Sequence, residues 1–314
     1  MRSIIIAATA IPTLFPLPAF TQQPDRGAAS IPDLSGMWSH PFVWGFELPP
    51  SGPGPVVNKS RRRQIFDADG LPWPPANAPL VGDPFRLVGD HTNPILKPEA
   101  AEVVKKHGEL TLSDVGYPTP SNQCWPGGVP FVLWTPVMIM LQQPGTITMV
   151  YRANEFRQVR MNQPHPAMVT PSWYGDSVGH YEDDTLVIDT VGIKIGPFAM
   201  LDMFGTPHTE ALHVVERYRL IDYAPAKEAW ERNENFRIPD APLEVDPAYT
   251  GRGLQLQFTV EDEGVFTMPW SATVTYRRAL AGSGAAEFIC AENPRGFYAG
   301  KDVAAVPRAD KPDF

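Results

Sequence analysis

From about residue 130 the chain alternates apolar and polar positions in short runs separated by turn residues, the period of half-buried β-strands. Val137 to Gln142 and Thr146 to Arg152 flank Pro144-Gly145, a hairpin signal. Phe156 to Met161 follows a turn at Asn154-Glu155. Gly179 to Tyr181 and Leu186 to Val191 enclose a turn at 182–185. Leu212 to Ile221 and Leu254 to Glu261 alternate most cleanly, and Val265 to Met268, Ser271 to Arg277 and Glu287 to Ala291 complete the series. About nine strands at short spacing with few helices between them predict an all-β fold. The expected architecture is an antiparallel meander forming a lipocalin-like barrel or sandwich.

One strand of this series combines a core face with a charge. Leu212, Val214, Glu216, Tyr218 and Leu220 share one face, and His213, Val215, Arg217, Arg219 and Ile221 share the other. A carboxylate on an apolar interior face is costly unless paired or protonated. Glu216 is therefore the first candidate site residue.

The regions before and inside the strand series read differently. Residues 1–21 predict a secretory signal peptide, with Arg2 as the positive start, Ile4 to Phe20 as the apolar run and cleavage between Ala19 and Gln23. Residues 22–120 are rich in Pro and Gly and form an irregular wrapping segment, in which Met37-Trp38 starts a first strand. Pro98 suits the first turn of a short helix over 98–107 that Gly108 ends. Residues 121–300 hold the barrel, residues 222–250 are an insertion with a helix at Ala226 to Asn233, and residues 301–314 form a tail. The insertion either caps one end of the barrel or is a surface excursion.

Composition narrows the function. Of 314 residues 36 are proline, which disfavours long helices. The net charge of −9 argues against a nucleic-acid partner, because phosphate binding needs a basic surface. No apolar run beyond the N-terminus is long enough to span a bilayer, so the expected mature protein is periplasmic or extracellular with no membrane span. In such a compartment the two cysteines, Cys124 and Cys290, pair as a disulfide or stay as buried thiols. A bridge over that loop could contribute up to ~5 kcal/mol on the chain-entropy model. No nucleotide-binding glycine loop or flavin fingerprint is present, and no cofactor is expected.

Three motifs stand out. Asp33 to Trp38 reads Asp-Leu-Ser-Gly-Met-Trp. Trp173 to Thr190 reads Trp-Tyr-Gly-Asp-Ser-Val-Gly-His-Tyr-Glu-Asp-Asp-Thr-Leu-Val-Ile-Asp-Thr. Pro207 to Arg217 reads Pro-His-Thr-Glu-Ala-Leu-His-Val-Val-Glu-Arg. In these elements the chain resembles a widespread family of secreted bacterial proteins, well over 120–290 and loosely before it. The resemblance implies export and no particular reaction, and the likeness to lipocalins is one of fold only. The insertion at 222–250 departs from the family pattern, so ligand preference can differ here.

Several chemistries can be set against these residues. Gly175-Asp176-Ser177-Val178-Gly179 matches the nucleophile elbow of serine hydrolases, with Asp189 or Asp202 and then His208 in order. The elbow needs a helix after the serine, whereas a hairpin follows Ser177. His208, Glu210, His213 and Glu216 resemble a metal set, but strand alternation sends His213 and Glu216 to opposite faces, and no metal is expected. An acid–base set of Glu216, Tyr218, His180, Asp189 and His208 inside a barrel would suit a cofactor-independent lyase or isomerase. The alternative for Glu216 is a structural pair with a buried arginine, Arg157 or Arg160. Trp134, Trp173, Tyr174, Trp270 and Arg157 are candidates for lining a ligand cavity. Binding of an apolar or aromatic small molecule in the barrel is the leading expectation, and acid–base catalysis there is the alternative.

Overall fold

The computed structural model describes residues 31–280 except residues 64, 67–69, 71, 74–80, 84, 114–116, 152–154 and 238–244. The expected signal peptide, the strand at 287–291, Cys290 and the tail lie outside the described residues, so the pairing of Cys124 with Cys290 is not described. The described residues form eleven strands: β1 (Gly36–Ser39), β2 (Ile65–Phe66), β3 (Pro72–Trp73), β4 (Val137–Gln143), β5 (Thr146–Tyr151), β6 (Phe156–Met161), β7 (Asp176–Glu182), β8 (Thr185–Val191), β9 (His213–Ile221), β10 (Gly253–Glu261) and β11 (Trp270–Arg278). Nine of them close into a barrel in the order β1-β11-β10-β9-β8-β7-β6-β5-β4, and β2 and β3 pair separately. The all-β barrel expected from the alternation is the observed fold.

Closure depends on β1. It pairs with β4 (Gly36 opposite Met140) and with β11 (Trp38 opposite Arg278), so residues of the Pro-rich segment supply the last barrel strand. One neighbour relation departs from the antiparallel meander. β6 and β7 run parallel and share only the rungs Arg160–Val178 and Met161–Gly179. A parallel pair needs a crossover, and residues 162–175 provide it. Above those two rungs the strands are unpaired, which opens the barrel wall where β6 and β7 begin.

The interior face is apolar as the alternation requires. Leu254, Leu256, Phe258 and Val260 of β10 and Val214 and Tyr218 of β9 are buried, with Met138, Met140, Met149, Ile188 and Tyr276 from other strands. Val265 to Met268, expected as a strand, instead forms a turn and one bridge, Phe266 to Leu96. Asp262 accepts the Val265 and Phe266 backbone N–H groups through its carbonyl and so holds that turn.

Two α-helices among the described residues flank the barrel. Helix α1 (Pro98–Leu112) begins at Pro98 as expected but continues through Gly108, burying Ala100, Val104, His107 and Gly108 on one stripe. Gly108 is a packing glycine rather than a terminator: a Cβ there would sit 3.1 Å from Val88 Cγ1. Lys105 and Lys106 consequently lie within the helix, where they pair with Glu102. Helix α2 (Tyr223–Glu234) buries Ala226, Ala229 and Trp230, and its Ala226 packs against Gly253 at the start of β10. Among the described residues no helix is long and apolar enough to cross a membrane.

Candidate functional site

Glu216 points inward from β9 and is fully buried, as is Arg157 from β6 (side chains 0% and 1% exposed). The two form a bidentate pair, with Arg157 Nη2 2.7 Å from Oε1 and Nη1 3.1 Å from Oε2. Two further donors of Arg157 are used: Nε donates to Ser177 Oγ at 2.9 Å and Nη2 to Thr190 Oγ1 at 2.6 Å. Tyr218 donates its phenol to Glu216 Oε2 at 2.8 Å. Burial alone would lower the Arg157 pKa, but the Glu216 carboxylate raises it above the ordinary value. Burial and the same carboxylate push the Tyr218 phenol well up. The pair and its hydroxyl partners come from β6, β7, β8 and β9, an arrangement that pins four strands together. Of the two sequence readings of Glu216, the structural pair with Arg157 is the one present.

The other acid–base candidates do not join Glu216. His180 is on the outer face of β7, 53% exposed, and contacts Glu182. Gly179 takes the inward position there, because only a glycine leaves room for Val159 and Met161. Asp189 also faces outward, 41% exposed, and contacts His213 Nε2 at 2.9 Å. Its neighbours Ile188 and Thr190 are the buried ones. His208 precedes β9 and its Nδ1 lies 3.2 Å from the Thr209 carbonyl, with burial lowering its pKa. Ser177 is in mid-strand with its hydroxyl between Arg157 and Thr190. Asp202 is bound to Thr206. Ser177, Asp202 and His208 therefore form no nucleophile–base–acid relay.

A cavity of about 770 Å³ lies instead at the end of the barrel where β4, β6 and β7 begin. Its walls come from the chain after β1 (Phe42, Trp44), the loop 120–126, the residues before β4 (Trp134 to Pro136), the start of β6 and the residues before β7. Arg157 is among its lining residues. A 3-10 turn (Phe131–Trp134) delivers Trp134 to the wall. Phe42 stacks on Trp134 with ring centroids 5.4 Å apart, and Trp44 lies 5.0 Å from Trp134.

The polar groups of the wall are few. Glu155 accepts the Gly127 backbone N–H at 2.9 Å and bonds the Tyr174 phenol. Burial raises the Glu155 pKa, and burial followed by the Glu155 charge raises that of Tyr174. No ion pair to Glu155 occurs among the described residues. The indole nitrogens of Trp44, Trp125 and Trp134 are buried with no hydrogen-bond partner among the described residues.

Of the expected ligand-binding residues, Trp134, Tyr174 and Arg157 line this cavity. Trp173 stands behind it, edge-on to Trp125 and beneath Lys194. Trp270 is a core residue packed between Phe258 and Phe266. Sequence reasoning missed Phe42, Trp44, Trp125 and Glu155. The aromatic pair Phe42 and Trp44 directly after the first strand, and Glu155 in the turn before β6, were the available signals. No protein-family model, curated protein or solved structure matches the chain.

Proposed function

We propose that the protein binds a small, largely apolar aromatic molecule in the cavity at the β4/β6/β7 end of the barrel. One observation carries this reading: a cavity of about 770 Å³ walled by Phe42, Trp44, Trp134 and Tyr174 lies at one end of the barrel. Pockets of this size and lining are the usual sites for small ligands. Export belongs to the same proposal, supported by the N-terminal apolar run and by the motif resemblance to secreted proteins. The reading is tested by native mass spectrometry of the purified protein, followed by denaturing extraction of any bound molecule. Wild type should carry an organic adduct that Trp134→Ala loses. An adduct retained by Trp134→Ala would count against this cavity.

Acid–base catalysis is a second reading, favoured by the Glu155–Tyr174 pair rather than by Glu216. Glu155 borders the cavity, its carboxyl is raised by burial, and Tyr174 bonds it. A carboxyl displaced toward neutral pH beside a binding site suits proton transfer. With the extracted molecule as substrate, Glu155→Gln should then keep binding and stop turnover. Undiminished turnover in that variant would exclude the assignment.

A further inference from the structure

The two-rung seam between β6 and β7 leaves part of one strand edge open. The Tyr151 N–H donates to the Glu155 carbonyl and the Met161 N–H to the Gly145 carbonyl. In an antiparallel ladder bonded pairs alternate, so the odd-numbered residues of β6 turn their backbone groups to β5. The even-numbered residues turn theirs the other way, toward β7. Arg160 meets Val178 there, and Asn162 donates its N–H to the Gly179 carbonyl. Phe156 and Gln158 lie before the first rung, and among the described residues their backbone groups have no partner on that side. The edge thus presents N–H and C=O groups that repeat about every 6.7 Å along the strand.

This open edge borders the cavity. Phe156, Arg157 and Gln158 line it from β6, and Ser172, Tyr174 and Gly175 line it from the chain before β7. Phe156 and Gln158 are both exposed, which leaves the approach from solvent uncovered. An unpaired strand edge is a template for another extended chain. Such a chain carries donors and acceptors at the matching repeat, and its alternate side chains point to one face. Side chains on the inner face would meet a lining that favours uncharged groups. Arg157 is already neutralised by the two oxygens of Glu216, and Glu155 would repel an acid. The aromatic rings of the wall suit an aromatic side chain.

We propose that the cavity takes a short extended peptide, whose backbone pairs with Phe156 and Gln158 as an added strand and whose aromatic side chain enters the cavity. This inference rests on the binding reading above and specifies its ligand class. The test compares an uncharged blocked tripeptide, N-acetyl-Thr-Trp-Thr-amide, with the same peptide methylated at its backbone nitrogens. Isothermal titration calorimetry of the full chain should show the unmethylated peptide bound at least tenfold more tightly. Gln158→Pro removes the N–H aimed at the gap and spares the bonds to β5, as proline on a strand edge can. It should weaken the unmethylated peptide at least fivefold. Gln158→Ala keeps that N–H and should bind as wild type does. Equal affinity of wild type for the two peptides overturns the backbone pairing, whether or not Gln158→Pro folds. An unchanged affinity in Gln158→Pro overturns the assignment to the β6 edge. Saturable binding of 1-aminoanthracene without binding of either peptide overturns this inference and leaves the binding reading standing. Binding of none of the three compounds overturns both.

Discussion

Arg157 and Glu216 hold each other in place so completely that removing either charge should damage the fold rather than an activity. Glu216→Gln leaves a buried guanidinium without its counter-charge, and loss of one partner from such a pair costs about 3–5 kcal/mol. Urea denaturation should show that loss, and the double variant Arg157→Met with Glu216→Leu should recover much of it. A Glu216→Gln protein as stable as wild type would contradict the structural role. Asp202 offers a second test through pH. Burial lifts it from 3.8 to about 6, against hydrogen bonds from Phe204, Thr206 and the Thr206 hydroxyl that favour the carboxylate. A raised carboxyl pKa means that the unfolded chain releases the proton first, so stability falls as pH rises from 3.8 through 6, by about 3 kcal/mol in total. His40 and His107, held down to about 4 by burial, act oppositely and lose stability as pH falls below 6.5. The difference between wild type and Asp202→Asn isolates the aspartate: the variant should be favoured at pH 8 and the gap should close near pH 4. A gap independent of pH would refute the shift. The inward position of Glu216 was legible from the alternation in β9. Its partner stayed open between Arg157 and Arg160 until the register of β6 put Arg157 on the inner face. Asp189 was not legible, because Leu-Val-Ile-Asp-Thr-Val is apolar in both phases, and only the pairing of Ile188 with Glu216 fixes which side faces in.

At the scale of elements, the weakest seam of the barrel is the two-rung pair of β6 and β7. Gly179 makes it possible, since a Cβ there would come within 2.9 Å of Val159 Cγ1 and 3.0 Å of Met161 Sδ. Gly179→Val should therefore overpack the seam and cost about 1–3 kcal/mol in denaturant melts, and a neutral result would mean that the seam yields freely. Nearly every strand was readable from its alternation, with ends off by a few residues. The parallel sense of β6 and β7 was not, because a strand's own sequence does not encode the direction of its neighbour. Val265 to Met268 misled for a related reason: a short apolar run without a partner strand is satisfied by packing Phe266 against Trp270. Helix α1 outran its expected end because Gly108 serves a close contact, and a glycine that packs is indistinguishable in sequence from one that terminates.

The barrel interior holds a buried apolar core and the Arg157 pair, and a space of about 770 Å³ lies at one end. That space is built by segments without periodicity, the chain after β1 and the loop 120–126, and so its walls had no signature in the hydrophobic pattern. Trp134 and Tyr174 were legible as aromatics near strand starts. Phe42, Trp44 and Trp125, far apart in sequence, come to line one cavity only in the folded chain. That cavity is the proposed place where a ligand binds. Its most direct test is a fluorescence titration with the neutral aromatic probe 1-aminoanthracene. Wild type should bind it saturably at a single site, Trp134→Ala should weaken it at least tenfold, and Phe236→Ala, outside the cavity lining, should not change it. No saturable binding, or equal affinity in Trp134→Ala, would contradict the account.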